Sequence, residues 1–139
     1  MAAADPNSPS RRARPLSPHL TIYRPPVNMV MSILHRLTGI ALYTGTALLA
    51  WWLIAAATGP NYFNFVNGLL GSLPGKVILA GYTFALMHHM LGGIRHLVWD
   101  TGRGFAIPMV NLMSWGTIAG SLGLTAAIWT YALCGKGVL

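Results

Sequence analysis

The sequence predicts an all-α membrane protein with three transmembrane helices. Three observations carry that prediction. First, hydrophobic residues make up 54% of the 139 and charged residues only 8%, with Asp5 and Asp100 the only acids; mean hydropathy is +0.55. Second, long stretches carry no charge: Leu37 to Gly75 has no Lys, Arg, Asp, Glu or His, Val77 to Ile94 has no Asp, Glu, Lys or Arg, and Gly104 to Gly135 has none of the five. Each has room for a bilayer-spanning helix, which takes roughly 20 mainly apolar residues. Third, the basic residues behind the net charge of +7 flank these runs. That arrangement suits membrane topology and argues against nucleic acid, which wants a basic stripe interleaved with aromatics.

Residues 1–27 are polar and proline-rich and read as an extended or irregular arm. Their arginines have a faint flavour of an organelle transit peptide, against which Asp5 and the prolines count. Residues 28–139 read as a single transmembrane domain. The first span is placed at about 29–57, with Asn28 as its cap. Residues 58–75, rich in Gly, Asn and aromatics, read as a connection lying along the interface. The second span is placed at about 76–99 and the third at about 108–133. Arg11, Arg12, Arg14 and Arg24 precede the first span and Arg95 and Arg103 end the second, while only Lys76 and Lys136 mark the opposite side. The positive-inside rule therefore puts the N-terminus and the 100–107 loop on the cytoplasmic side, or the matrix side in an organelle. The single cysteine, Cys134, excludes an internal disulfide and a Cys-rich metal site, and packing is its expected role. Gly116, Gly120 and Gly123 form a small-residue ridge that serves either a second subunit or ordinary packing within the chain.

The stretch MHHMLGGIRHLVWD (87–100) sets three histidines, an arginine and an aspartate in a greasy segment. On a helix His89, Gly93, His96 and Asp100 share one stripe, and His88, Gly92, Arg95 and Trp99 the next. His88 and His89 then lie roughly 15 Å inward of Asp100, near the middle of a ~30 Å hydrocarbon core. Ionisable groups at such depth mark a cofactor, a substrate or a proton path. A neutral imidazole with glycine one turn away suits an axial haem ligand, Gly92 and Gly93 leaving room for a flat macrocycle and Arg95 and His96 meeting its propionates. The competing account is a histidine bonded to another helix, with arginine snorkelling to the headgroups. Spacing does not choose between His88 and His89.

SILHRLTG (32–39) opens the first span on the same side. Ser32 and Arg36 are i,i+4 neighbours with His35 beside them, so a hydroxyl and a guanidinium could bond the carbonyls of a membrane quinone. The plainer account makes Arg36 a topological anchor and Ser32 a first-turn cap.

RPLSPHLTIYRPP (14–26), SILHRLTG (32–39) and the H-x3-G-I-R-H-L-x-W-D-x-G pattern at 89–102 occur in this order around three spans. Together they resemble the cytochrome b subunits of succinate dehydrogenase, the larger membrane anchor of respiratory complex II, over roughly residues 14 to 135. The arm is most similar to the mitochondrial and related bacterial branch. The resemblance implies three helices forming half of a haem-binding bundle with a second, smaller anchor subunit. It implies that Ser32 and Arg36 belong to the quinone pocket, that His89 is the axial ligand of the haem iron, and that His35, Arg95 and His96 lie near the haem propionates. His88 stands where such proteins often carry an aromatic residue, and receives no ligand role. One axial histidine implies a second from the smaller anchor, so haem b would be shared.

The implied activity is distributed over several chains: a flavoprotein subunit, an iron–sulfur subunit and both anchors pass electrons from succinate to ubiquinone. This chain would not itself oxidise succinate; it would hold ubiquinone, with Arg36 stabilising the charge of the reduced species. The implied location is the bacterial cytoplasmic membrane with the N-terminus inside, or the mitochondrial inner membrane with it in the matrix. Two rivals remain: an anchor without functional haem, and a small transporter using His88, His89 and Arg95. Against the transporter, the sequence has no internal repeat and no broken-helix pair.

Overall fold

A computed structural model describes residues 17–135. It contains α1 (His19–Ile22), α2 (Val27–Thr58), α3 (Pro60–Gly71), α4 (Leu73–Asp100) and α5 (Ile107–Cys134). Of these, α2, α4 and α5 are long and apolar enough to cross a membrane. At 1.5 Å per residue each exceeds the ~30 Å hydrocarbon core, so the helices run on into the headgroup layer. For that reason they begin and end a few residues outside the windows that hydropathy marks.

Three local readings need correction. The 58–75 connection is mostly helix, because Pro60 sits in the first turn of α3, where its missing N–H costs no hydrogen bond. Gly59, at φ 139°, makes the break between α2 and α3 in a region of backbone space that side chains avoid. The cap of α2 is Pro26, and Asn28 lies inside the first turn, its Oδ1 accepting only from the adjacent Met29 N–H at 3.0 Å. The described part of the arm includes one helical turn, α1, in which the Thr21 hydroxyl donates to the Pro18 carbonyl at 2.9 Å. Residues 1–16 lie outside the described residues, as do Lys136 and the arginines at 11, 12 and 14.

Helix α4 packs against both α2 and α5, which also touch each other. Both pairs are antiparallel: His35 meets His89 while Gly45 meets Tyr82, and Arg95 meets Ser114 while His88 meets Ser121. The α2–α4 approach is closest at Gly45, where the Tyr82 ring fills the space that a Cβ would need. Tyr82 then donates its hydroxyl to the Leu42 carbonyl at 3.2 Å. On α5 only Gly120 takes a neighbouring side chain, Leu91, whereas Gly116 and Gly123 face open space. The glycine ridge is thus divided between internal packing and an open face. Helix α3 is tied back to α2 by Trp51 Nε1 donating to Tyr62 Oη and Trp52 Nε1 donating to Asn67 Oδ1, both at 2.9 Å.

Buried apolar side chains are few, namely Met31, Ala55, Val66 and Ala85, while many large apolar residues are exposed. Lipid explains the inversion. Hydrocarbon is as apolar as leucine, so the helices associate through close packing and polar contacts instead. Cys134 is exposed, not packed as expected.

Candidate functional site: two polar faces of one helix

Helix α4 divides its ionisable residues between two neighbours, α2 and α5. Toward α2 it presents His89 and His96; toward α5 it presents His88 and Arg95. The sequence placed them on adjacent stripes, and the neighbouring helices turn that small angular difference into two separate environments.

On the α2 side, the His35 and His89 rings stack with centroids 4.0 Å apart and 6° between their planes. His96 tilts against His35 at 5.2 Å and meets the Trp99 ring edge-on at 5.2 Å. Two glycines let the pair form. A Cβ on Gly92 would lie 2.5 Å from His35 Nδ1, and one on Gly39 would lie 3.2 Å from His89 Cε1. Gly93 faces open space. The role expected of both glycines beside the histidines therefore divides: Gly92 admits His35, and Gly93 leaves its face clear.

His89 Nδ1 lies 3.1 Å from the His35 carbonyl oxygen and 3.3 Å from Thr38 Oγ1. A carbonyl only accepts, so Nδ1 carries the proton and donates it. Nε2 is then the basic nitrogen, and it makes no hydrogen bond in the chain. The hydroxyl of Thr38 is itself committed to the Leu34 and His35 carbonyls at 2.9 Å each. This is the outer-shell arrangement that orients a ligating imidazole: one nitrogen anchored to backbone, the other held out as a lone pair.

His88 is in the opposite situation. It is 1% exposed, its Nδ1 lies 3.2 Å from Ser121 Oγ, and Phe84 packs 5.5 Å from its ring. Ser121 donates to the Ile118 carbonyl at 3.0 Å and so accepts from His88, whose Nε2 is enclosed in protein. Arg95 is also buried at 3% exposure, donating from Nη1 to Ser114 Oγ at 3.1 Å and stacking 5.1 Å from the Trp99 ring centroid. It makes no hydrogen bond to His35, His89 or His96, and shares the Trp99 ring with His96. Further along the same seam Trp129 Nε1 donates to Thr83 Oγ1 at 3.2 Å.

Ser32 and Arg36 both lie on the exposed side of α2, and neither makes a hydrogen bond within the chain. Because α2 starts at Val27, Ser32 stands in the second turn and caps nothing. Both polar groups are thus presented outward next to His35, whose Nδ1 is buried without a partner.

Sequence reasoning overlooked Thr38 and Gly39 as parts of the histidine site, and the buried Ser114, Thr117 and Ser121 row altogether. A signal for the latter existed: small hydroxyl residues recur every three or four positions in an otherwise apolar span, which marks the polar side of a membrane helix.

Among the described residues no group of three or more His, Cys, Asp or Glu is set to hold a bare metal ion. A haem makes a smaller demand, since its macrocycle brings four nitrogens and asks only for axial ligands. His89 fits that demand, with an Nε2 that makes no hydrogen bond among the described residues and a ring fixed by the His35 carbonyl. Residues 10–128 match the succinate dehydrogenase/fumarate reductase transmembrane subunit family. The chain is 41% identical over 116 residues to the succinate dehydrogenase cytochrome b556 subunit of Rickettsia conorii, covering 84% of this chain and 90% of the relative. The b556 subunit of Paracoccus denitrificans is 44% identical over 115 residues, 83% of this chain and 88% of its own length. The mitochondrial cytochrome b560 subunit of Sus scrofa is 43% identical over 122 residues, 81% of this chain and 70% of its own. With a matched family and such identity over most of its length, the chain belongs to the succinate dehydrogenase/fumarate reductase transmembrane subunits.

Proposed function

We propose that this chain is the larger membrane anchor of a succinate:ubiquinone oxidoreductase, that it binds haem b through His89, and that it contributes Ser32 and Arg36 to the ubiquinone-reduction site. The observation that carries the haem reading is the His89 Nδ1 to His35 carbonyl contact of 3.1 Å, which leaves Nε2 as a lone-pair donor. The names of the relatives, all cytochrome b subunits, support it.

When bound, the haem supplies a one-electron redox centre. The chain's own residues hold and surround it. The His35 carbonyl fixes the tautomer and angle of His89. His35 and His96 line the edge where propionates would be met. Arg95, whose Nη1 donates to Ser114, would have to turn from it to reach that edge. A second ligand to the iron would come from the smaller anchor subunit, because the resemblance to the cytochrome b subunits implies only one such histidine, His89, in this chain.

Ser32 and Arg36 act on a different ligand. At the membrane edge a guanidinium meets the negative charge that builds on a quinone oxygen during reduction, in a medium that screens it weakly. The Ser32 hydroxyl bonds a quinone carbonyl or relays a proton to it. Electrons reach that pocket from the flavoprotein through the iron–sulfur subunit, and succinate itself is oxidised elsewhere. The flanking arginines favour the N-terminus on the cytoplasmic side of a bacterial inner membrane, or the matrix side of a mitochondrial one.

Mild-detergent purification through a tag on this chain tests the reading. A flavoprotein, an iron–sulfur protein and a second small anchor are expected to accompany it, with a b-type band in the reduced-minus-oxidised spectrum. His89→Leu is expected to remove that band while the complex still assembles. Full pigment in the His89→Leu complex would overturn the haem assignment.

A further inference from the structure

The end of the bundle remote from Ser32 and Arg36 holds a cavity of about 550 Å³ between α2, α3 and α4. Its lining runs along α2 from Gly45, opposite Tyr82, to Trp52, beside Asn67. Gly45 and Trp52 are separated by about 10 Å along α2. Gly45 lies close to the midpoint of the 32-residue α2, so the cavity runs from the interface to near the bilayer centre. That is the depth of one leaflet of a ~30 Å core.

We infer that this cavity is a binding site for a single phospholipid, with an acyl chain along Leu48, Leu49 and Leu79 and its phosphate near Lys76. Three observations favour that occupant. The volume falls in the range of small-molecule sites and is far too small for a helix of another subunit. The two aromatic donors in the lining are already committed, Trp52 Nε1 to Asn67 Oδ1 at 2.9 Å and Tyr82 Oη to the Leu42 carbonyl at 3.2 Å. A quinone ring would therefore find only the Asn67 amide N–H for its two carbonyls, whereas a hydrocarbon tail needs no donor. Finally, Lys76 opens α4 beside the cavity wall formed by Leu70 and Gly71, and it is the only charged side chain among the described residues at this end. Gly75, the residue before it, packs against the Leu69 and Leu70 carbonyls, which sets the Lys76 backbone next to that wall. A lone cation in an aromatic interfacial belt suits a phosphate. Helix α3, pinned by its two tryptophan bonds, forms the roof. The connection between the first two spans is thus a lipid clasp.

The test uses the intact complex, reconstituted in phosphatidylcholine–phosphatidylglycerol vesicles containing a phospholipid with a diazirine at the end of one acyl chain. Photolysis is expected to label residues 45–52 and 79–82 well above the lipid-facing residues of α5, such as Leu122 and Ile128. Leu49→Trp, which puts an indole into the cavity, is expected to abolish that excess. Lys76→Gln lies outside the cavity and leaves its shape intact; it is expected to weaken retention about fivefold, the equivalent of ~1 kcal/mol for one basic residue near a membrane surface. Labelling spread evenly over α2, α4 and α5, or the same excess in Leu49→Trp and Lys76→Gln as in the parent complex, would overturn the proposal. So would extraction of an isoprenoid quinone, in place of phospholipid, as the molecule that Leu49→Trp displaces. These readouts do not depend on haem content, so they stand apart from the test of His89.

Discussion

The rings of His35 and His89, carried by different helices, lie 4.0 Å apart and within 6° of parallel. Nothing in the sequence brings residues so far apart into a stack; Gly92 and Gly39 do, by offering no Cβ where the rings pass. The α4 surface toward α2 is therefore shaped around an imidazole pair, one ring held by packing and the other by a backbone carbonyl.

A glycine series makes that shape measurable. By helix propensity alone, each Gly→Ala change inside these helices gains up to ~1 kcal/mol. Space reverses the sign where a ring is near. Gly92→Ala puts a methyl 2.5 Å from His35 Nδ1 and is expected to displace that ring and shift or bleach the b-type spectrum. Gly39→Ala, at 3.2 Å from His89 Cε1, is expected to do the same more weakly, and Gly93→Ala, facing open space, to leave the spectrum unchanged. Reduced-minus-oxidised spectra of the three complexes check the order; an unchanged spectrum in Gly92→Ala would separate His35 from the cofactor.

The residues proposed for the quinone allow a cleaner dissection, because Ser32 and Arg36 make no hydrogen bond among the described residues. Arg36→Ala is expected to lower succinate:quinone reductase activity by roughly 10²-fold, the usual scale for losing one preorganised electrostatic donor. Ser32→Ala is expected to lower it less, since one neutral hydrogen bond is lost. Succinate oxidation with a soluble artificial acceptor should persist in both variants. Assaying both activities on one preparation checks this, and parallel loss of the two would point to failed assembly.

The three spans were legible because lipid leaves a strong mark: a helix that crosses hydrocarbon must be uncharged over its length, and the sequence shows three such stretches. Helix α3 was not legible, since its Pro, Gly and Asn are also loop residues and only its packing on α2 and α4 decides between the two. At the site, depth marked His88 and His89 alike, and only the resemblance of the motif chose between them. The structure adds a physical ground for the distinction, a free Nε2 against an enclosed one. The departure of Arg95 toward α5 could not be read, because Ser114 is a common residue whose role appears only when α5 lies beside α4.

That α4–α5 seam yields an ordering of stabilities that burial alone does not give. Ser114, Thr117 and Ser121 are all nearly inaccessible, at 0, 5 and 0% exposure. Their partners differ. The Thr117 hydroxyl bonds only the Met113 carbonyl of its own helix, at 2.8 Å, so Thr117→Val is expected to change stability little. Ser121 accepts from His88 across the interface, and Ser121→Ala is expected to cost about 0.6 kcal/mol, the average for an interhelical hydrogen bond in a membrane protein. Ser114 accepts from the buried guanidinium of Arg95, so Ser114→Ala takes a partner from a buried cation and is expected to cost more, about 2 kcal/mol. Unfolding of the three variant complexes in mixed micelles of rising SDS content measures the order. Equal midpoints for Ser114→Ala and Thr117→Val would mean that Arg95 draws its support from outside α5, as it would if its guanidinium had turned to the propionate edge.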